Sequence, residues 1–388
     1  MDLRSFRFLH AADFRLDVPC MGVRDLTPEL CRLFVNARYA AARHVFDTAI
    51  AHEVNFVVLA GGLLDPALPG LRGPLFLIEQ FERLAQHGIK VYWAGATFLS
   101  IGRWPRQAPL PSNLRLFAKG AASQIHERNS RPVARLLLLD EDPVRPLSSK
   151  LFTIGIDPQC TTATRDAESA VDYWALGGQS QRDTHTFDGN IVHFPGSPQG
   201  RIPEEVGPHG CSLVTVDGAG DVSIQPVATD VVRWCQEAFR FCDHTPWTEV
   251  EQQFEERVDR LRHELTSTPT VEMAVINWTV TGSGLSMQRL MQPEMQRQLM
   301  SKLNTRFQNR VPAIWNLDLD AVIDARQLDD WQSESTSLGA FLREAAGMSE
   351  SLSQGHGAEN APPFFNQPFR RKVTNEGIHQ LRKALLTN

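Results

Sequence analysis

Short apolar runs alternate with longer amphipathic stretches at the start of the chain, and each short run ends in a turn residue. Phe6–Ala12 reads as a strand that ends at Asp13. Apolar positions at Leu30, Leu33, Phe34, Ala37, Ala41 and Val45 then follow a helical period, with Thr27 as N-cap and Pro28 in the first helical position. Asn55–Ala60 is a buried strand ending at Gly61-Gly62, residues 71–87 form a second helix, and Ile89–Ala94 is a third strand ending at Gly95. Strand–loop–helix units at this spacing predict an α/β domain whose function lies where the strands end.

The pattern then shifts to short strands with loops between them: Arg135–Leu139, Lys150–Ile156, Tyr173–Leu176, Asn190–Phe194 and Ser212–Val216. The turn Asp217–Asp221 closes a hairpin into Val222–Val227. A sheet sandwich flanked by helices fits this order, and residues 1–228 are expected to form it. A smaller α+β unit is expected over 229–348. It opens with a helix capped by Thr245, with Val250, Phe254, Val258, Leu261 and Leu265 in its stripe. Strand Val271–Val280, a helix carrying Met295, Leu299, Leu303 and Phe307, and strand Ala313–Ala321 follow. Residues 349–363 have the composition of a flexible linker, and 364–388 form a basic tail with a short helix over Val373–Leu386.

Composition adds limits. Apolar residues make up 42% and charged residues 22% of the 388 positions, which is ordinary for a globular protein. A net charge of −6 argues against a uniformly basic nucleic-acid binder but leaves room for a local basic patch. The six cysteines contain no C-x-x-C pair and read as reduced thiols. Charged residues interrupt every apolar stretch near the N-terminus, and no run approaches the ~20 apolar residues of a membrane span. A cytoplasmic protein without membrane contact is expected.

Five segments carry a resemblance: FRFLHAADFRLD at 6–17, FVVLAGGLLD at 56–65, VYWAGATF at 91–98, YWALGGQSQR at 173–182, and FPGSPQGR…GPHGCSLVTVD at 194–217. They resemble the calcineurin-like metallophosphoesterases, specifically the SbcD and YhaO-like DNA-repair exonucleases. That resemblance implies a metallophosphoesterase-type β-sandwich flanked by helices with a smaller α+β capping domain. It also implies two manganese or magnesium ions at the strand ends, which activate water and stabilise charge on phosphate across ~3.5–4 Å.

The family's ligands do not carry over. Asp13 retains the first, but the histidine two residues later is Arg15, and the metal-bridging aspartate is Gly62. The asparagine ligand is Ala96, the catalytic histidine is Thr97, and the two histidines of G-H-x-H are Gly178 and Ser180. The family's isolated histidine falls near Ile156–Gln159, where none stands. Glycine and alanine supply no donor atom, and a guanidinium repels cations. No metal, no cofactor and no catalytic residue are therefore expected.

Other candidates have plainer readings. Asp13 caps a loop or pairs with a neighbouring base, for which Arg15 is the obvious partner. Two placements of Arg15 stay open: in the first metal's place beside Asp13, or out in solvent. Asp17 and Asp65 fit loop-organising positions, and His10 reads as a satisfied core or near-site histidine. His185, Asp188 and His193 are close enough in sequence to suggest a replacement metal site, although Asp188-Gly189 is a common turn dipeptide. Asp140–Asp142 reads as a solvated loop. Arg370, Arg371 and Lys372 either sit on a solvated terminal helix or contact DNA or a partner. No Walker-type, G-x-S-x-G or G-x-G-x-x-G motif is present. The expectation is an inactive exonuclease homologue that binds DNA or a coiled-coil ATPase of the SbcC type. The alternative is an active phosphoesterase or nuclease with a relocated or partner-completed metal site.

Overall fold

The computed structural model describes residues 5–65, 70–95, 104, 109–117, 123–138, 151–159, 171–187, 190–324, 340 and 343. The expected linker and basic tail, with Arg370, Arg371 and Lys372, lie outside the described residues, as do Ala96, Thr97, Asp140–Asp142 and Asp188.

In chain order the elements begin with β1 (Phe6–Ala12), α1 (Pro28–Ala51), β2 (Phe56–Ala60), α2 (Arg72–Gln86) and β3 (Lys90–Trp93). Short strands follow: β4 (Leu114–Leu116), β5 (Gln124–Arg128), β6 (Arg131–Leu138), β7 (Phe152–Asp157) and β8 (Tyr173–Leu176). Next come β9 (Asp183–Phe187), β10 (Asn190–Phe194), β11 (Gly210–Val216), β12 (Val222–Ala228) and β13 (Val232–Arg240). The described elements close with α3 (Trp247–Leu265), β14 (Met273–Gly282), α4 (Gly284–Leu290), α5 (Pro293–Phe307) and β15 (Ala313–Ile323).

One six-stranded sheet has the order β12-β11-β1-β2-β3-β4 and a second has β5-β6-β7-β8-β10-β9. Neighbours from β1 to β4 run parallel, while β11 runs antiparallel to β1. Phe8, Phe56, Val58, Tyr92 and Val214 of the first sheet pack against Leu136, Ile154, Ile156, Tyr173 and Ala175 of the second. The alternate residues Leu9, Ala11, Val57, Leu59, Val91 and Trp93 face Phe46, Leu77 and Phe81 of the two helices. Burial on both faces explains why β1 and β2 read as unbroken apolar runs. Phe8 and Phe56 are fully buried and stack at 5.2 Å, so truncating Phe8 to alanine would cost about 3–5 kcal/mol. The mixed α/β architecture agrees with the metallophosphoesterase-type sandwich expected from the sequence.

Local signals account for most element ends. The Thr27 hydroxyl accepts from the Leu30 amide at 3.4 Å, with Pro28 in the first turn of α1 as expected. The Asp217 carboxylate accepts from the Ala219 and Asp221 amides at 2.8 and 2.9 Å and so shapes the β11–β12 hairpin. Thr245 differs from expectation. The helix begins at Trp247, and the Thr245 hydroxyl accepts from the Cys242 amide at 3.1 Å instead of capping it.

The chain divides into two compact units. The first comprises Met1–Gln236, Glu256–Asn277 and Lys302–Leu317, and the second Glu237–Glu255, Trp278–Ser301 and Asp318–Asn388. Both draw on residues beyond 228. Besides the sandwich, the first unit holds a core of Phe34, Trp234, Met273, Val275 and Trp315. The described part of the second unit is built on aromatic rings, with Phe254 edge-on to Phe239 at 4.8 Å and to Trp278 at 4.7 Å.

Candidate functional site: a degenerate strand-end cleft

The cleft of interest lies where β1, β2 and β8 end. After β1 the chain turns sharply, with Asp13 and Arg15 both in the left-handed region at φ 51° and 43°. Aspartate tolerates this conformation, whereas arginine adopts it only when its surroundings enforce it. Here the enforcement is a run of main-chain bonds to the segment after β2. The amides of Asp13, Arg15 and Leu16 donate to the carbonyls of Ala60, Gly62 and Leu63 at 3.2, 3.0 and 2.9 Å.

That turn buries Asp13, which is 4% exposed. Its Oδ1 accepts from the Gly62 amide at 3.1 Å, and its Oδ2 accepts from the Gly178 amide. One carboxylate thus joins the end of β2 in the first sheet to the end of β8 in the second. Burial raises its pKa above the usual carboxylate value, and the Gly178 and Gly62 amides oppose the rise, followed by the charges of Arg15 and Arg201.

Two glycines make the close approach possible. A Cβ on Gly61, which has φ +76°, would lie 2.5 Å from Asp13 Oδ1. A Cβ on Gly177 would lie 2.9 Å from the Gly61 Cα and amide nitrogen. Gly62 is different: a Cβ there meets nothing within 4 Å. Its missing side chain is therefore not a packing requirement.

The expected Asp13–Arg15 pair does not form. Arg15 is exposed, and among the described residues no ion pair joins it to Asp13. The backbone amides satisfy the carboxylate instead, so Arg15 acts on it only through its charge. Of the two placements left open for Arg15, the exposed one is found.

Of the remaining expected positions, Gly62 and Gly178 are in the cleft, and the Ser180 carbonyl accepts from the Ser197 amide at 3.0 Å. Asp17 is half-buried, which raises its pKa, and its carboxylate is bonded by the Asp65 amide. The replacement metal site suggested by His185, Asp188 and His193 fails on register. β9 pairs His185 with Val192 and Thr184 with His193, so the two imidazoles point to opposite faces of the sheet. His185 is exposed and bonds Asp183 at 2.8 Å, whereas His193 is fully buried. Among the described residues no group of three or more His, Cys, Asp or Glu could hold a metal ion.

Two residues near the cleft were not anticipated. Asp157, which is 2% exposed, ends β7 as Asp13 ends β1, and its carboxylate accepts from the Gln159 amide at 3.0 Å. Its main-chain carbonyl accepts from Gly177 at 2.9 Å, which ties it to the same strand ends. A strand-terminal Asp followed by Pro158 was the available signal. Arg201, in the segment FPGSPQGR, brings a second positive charge to bear on Asp13, and it pairs with Glu205 at 3.6 Å. That segment is anchored by the buried Gln199, whose Oε1 accepts from the Val231 and Val232 amides at 2.9 and 3.1 Å.

Comparison with known proteins points the same way as the fold. The Bacillus subtilis (strain 168) protein named "Uncharacterized metallophosphoesterase YhaO" is 29% identical over 283 residues, which are 67% of this chain and 69% of that one. The two proteins are homologues. This homology supports a phosphoesterase-type fold for the chain. No family model matches. Among solved structures, TT1561 of Thermus thermophilus aligns with 57% of this chain and 98% of its own, at 10% identity and a TM-score of 0.33. A second crystal structure aligns at 11% identity with a TM-score of 0.32.

Among the described residues, the donor chemistry of the cleft does not fit a two-metal site. Gly62 and Gly178 have no side-chain ligand atoms, and their amides face the Asp13 carboxylate. Asp13 directs both oxygens at those amides. Two divalent ions need several carboxylate, imidazole or carbonyl ligands between them. No helix among the described residues is long and apolar enough to cross a membrane.

Proposed function

We propose that this chain is a catalytically inactive homologue of a metal-dependent DNA-repair exonuclease, working in the cytoplasm as a DNA- or partner-binding subunit. The observation that carries the reading is the Asp13 carboxylate accepting from the Gly62 and Gly178 amides, where ligand side chains would be needed. The cleft is built to satisfy one buried anion from the backbone rather than to hold cations. Arg15 and Arg201 add positive charge at its margin, which favours phosphate over metal.

A coiled-coil ATPase of the SbcC type is the protein partner this reading names, and duplex or single-stranded DNA is the nucleic acid. Span 229–348 would act as the capping domain, and Arg370, Arg371 and Lys372 as a further contact. The test pairs a nuclease assay in manganese with DNA binding by fluorescence anisotropy at several salt concentrations. The reading expects salt-dependent binding to DNA or capture of the ATPase, with no cleavage. Cleavage abolished by Asp13→Ala would overturn it, and cleavage that survives Asp13→Ala would point to a relocated metal site.

A further inference from the structure

A few residues behind the cleft, the sandwich buries a chain of polar side chains that the reading above does not use. His10 on β1, Tyr173 on β8, His193 on β10 and Ser212 on β11 are all fully buried. His10 Nδ1 lies 3.0 Å from the Tyr173 hydroxyl, and His193 Nε2 lies 2.7 Å from the Ser212 hydroxyl. Each of these bonds runs from one sheet to the other. Within the sheets the four residues are close neighbours, because His10 pairs with Ser212 and His193 with Ala175. The three rings pack together, with His10 at 5.6 Å from His193 and 5.9 Å from Tyr173. His193 Nδ1 also meets the Thr184 hydroxyl at 2.7 Å.

The position of this cluster along the strands matters. His10 and Tyr173 join β1 to β8, the same two strands that meet at Asp13 and Gly178. From His10 to Asp13 is roughly 10 Å of chain and from Tyr173 to Gly178 roughly 17 Å, at ~3.3 Å per residue. The Leu176 carbonyl on β8 also acts on the His10 ring, between the two contacts. An apolar pair of this size would slide with little penalty, whereas two short directional bonds between buried groups fix the separation of the sheets.

We infer that His10, Tyr173, His193 and Ser212 form a cross-sheet strut that positions the ends of β1 and β8, so that Asp13 can accept from Gly178. Loss of the strut releases the Gly178 amide and opens the cleft. The inference concerns the geometry of the cleft and stands apart from whether the chain binds DNA or a protein.

A built-in control exists. Tyr92 on β3 and His126 on β5 make a second buried cross-sheet bond, with the hydroxyl 3.1 Å from Nδ1. Neither strand carries Asp13, Gly62 or Gly178. Hydrogen exchange of the full chain at neutral pH, read on peptides covering 177–180, separates a local strut from general loss of stability. Tyr173→Phe is expected to speed exchange there about five- to tenfold, and Tyr92→Phe to leave it within about twofold of the parent. Equal effects of the two variants, or no effect of Tyr173→Phe, would overturn the inference. If Tyr173→Phe does not fold, Ser212→Ala removes the other cross-sheet bond. It must then raise exchange at 177–180 above the Tyr92→Phe level, or the strut does not exist.

Discussion

The middle of β1 and its end treat buried polar groups in opposite ways. In the middle, His10 belongs to a set of side chains contributed by four strands, and its Nδ1 meets the Tyr173 hydroxyl. At the end, Asp13 is also buried, yet both of its oxygens are served by main-chain amides. The difference follows from the neighbours. Strand interiors supply Tyr173, His193 and Ser212, while the strand ends supply Gly61, Gly62, Gly177 and Gly178. The strand interiors thus pair buried polar side chains with one another, while the strand ends leave a buried carboxylate to the backbone. Burial makes a core residue costly to change, whereas a ligand at a strand end is constrained only by the ion it holds.

The sharpest way to break this comparison is at the adjacent glycines. Gly61→Ala meets the Asp13 carboxylate at 2.5 Å and must adopt φ +76°, so it should cost more than about 3 kcal/mol. Gly62→Ala meets nothing and should stay within about 0.5 kcal/mol of the parent. Urea midpoints measure both, and similar losses would show that the space beside Gly62 is not open.

Acid should weaken the strand interior next. Burial lowers the pKa of His10 well below its usual value and takes His193 and His126 to about 4. In the unfolded chain these imidazoles titrate near ~6.5. The folded form therefore binds fewer protons across this window, and stability present above about pH 6.5 is lost as pH falls toward about 4. A loss on the order of 2 kcal/mol for each of His193 and His126 is expected by pH 5. Asp13 has the opposite sign, since burial raises its pKa and protonation removes the cost of burying its charge. A urea midpoint flat between pH 7.5 and 5 would contradict this account of the interior.

Asp13→Ala leaves the Gly62 and Gly178 amides without their acceptor and should cost about 1–3 kcal/mol, while Asp13→Asn, which keeps an oxygen, should cost less. Arg15→Ala is expected to be the mildest change, within about 0.5 kcal/mol, because the side chain is exposed and forms no ion pair with Asp13. If DNA binds in the cleft, Arg15→Ala should weaken it and flatten its salt dependence. Thermal melts and binding isotherms at two salt concentrations measure these effects.

Much of the sandwich was legible in the sequence because its central strands are apolar on both faces. Tyr173–Leu176 and Asn190–Phe194 occur as read, and β1 ends at Ala12 as expected. The strands that escaped were chiefly edges. β4, β5 and β9 lie at the margins of their sheets; β4 spans only three residues, and β5 and β9 carry one apolar residue each, so no period marks them. β13 was missed for another reason, since Gln236-Glu237 interrupts its alternation. In the cleft, the glycines at 62 and 178 could be read directly. Their amides' bonds to Asp13 could not, because backbone amides have no letter in a sequence. Reading Arg15 as the partner of Asp13 followed from charge alone, and the left-handed turn at Asp13 sends the carboxylate to the amides instead. The His10 cluster was invisible for a topological reason. Its members are separated by up to 202 positions, and only strand order brings them together.

The central claim is that the strand-end cleft satisfies an anion and no longer holds cations. Calorimetric titration of manganese into chelator-stripped full-length protein and into Asp13→Ala tests it most directly. The account predicts the same weak, non-saturating heats for both proteins. Saturable binding near two ions per chain that disappears in Asp13→Ala would contradict it.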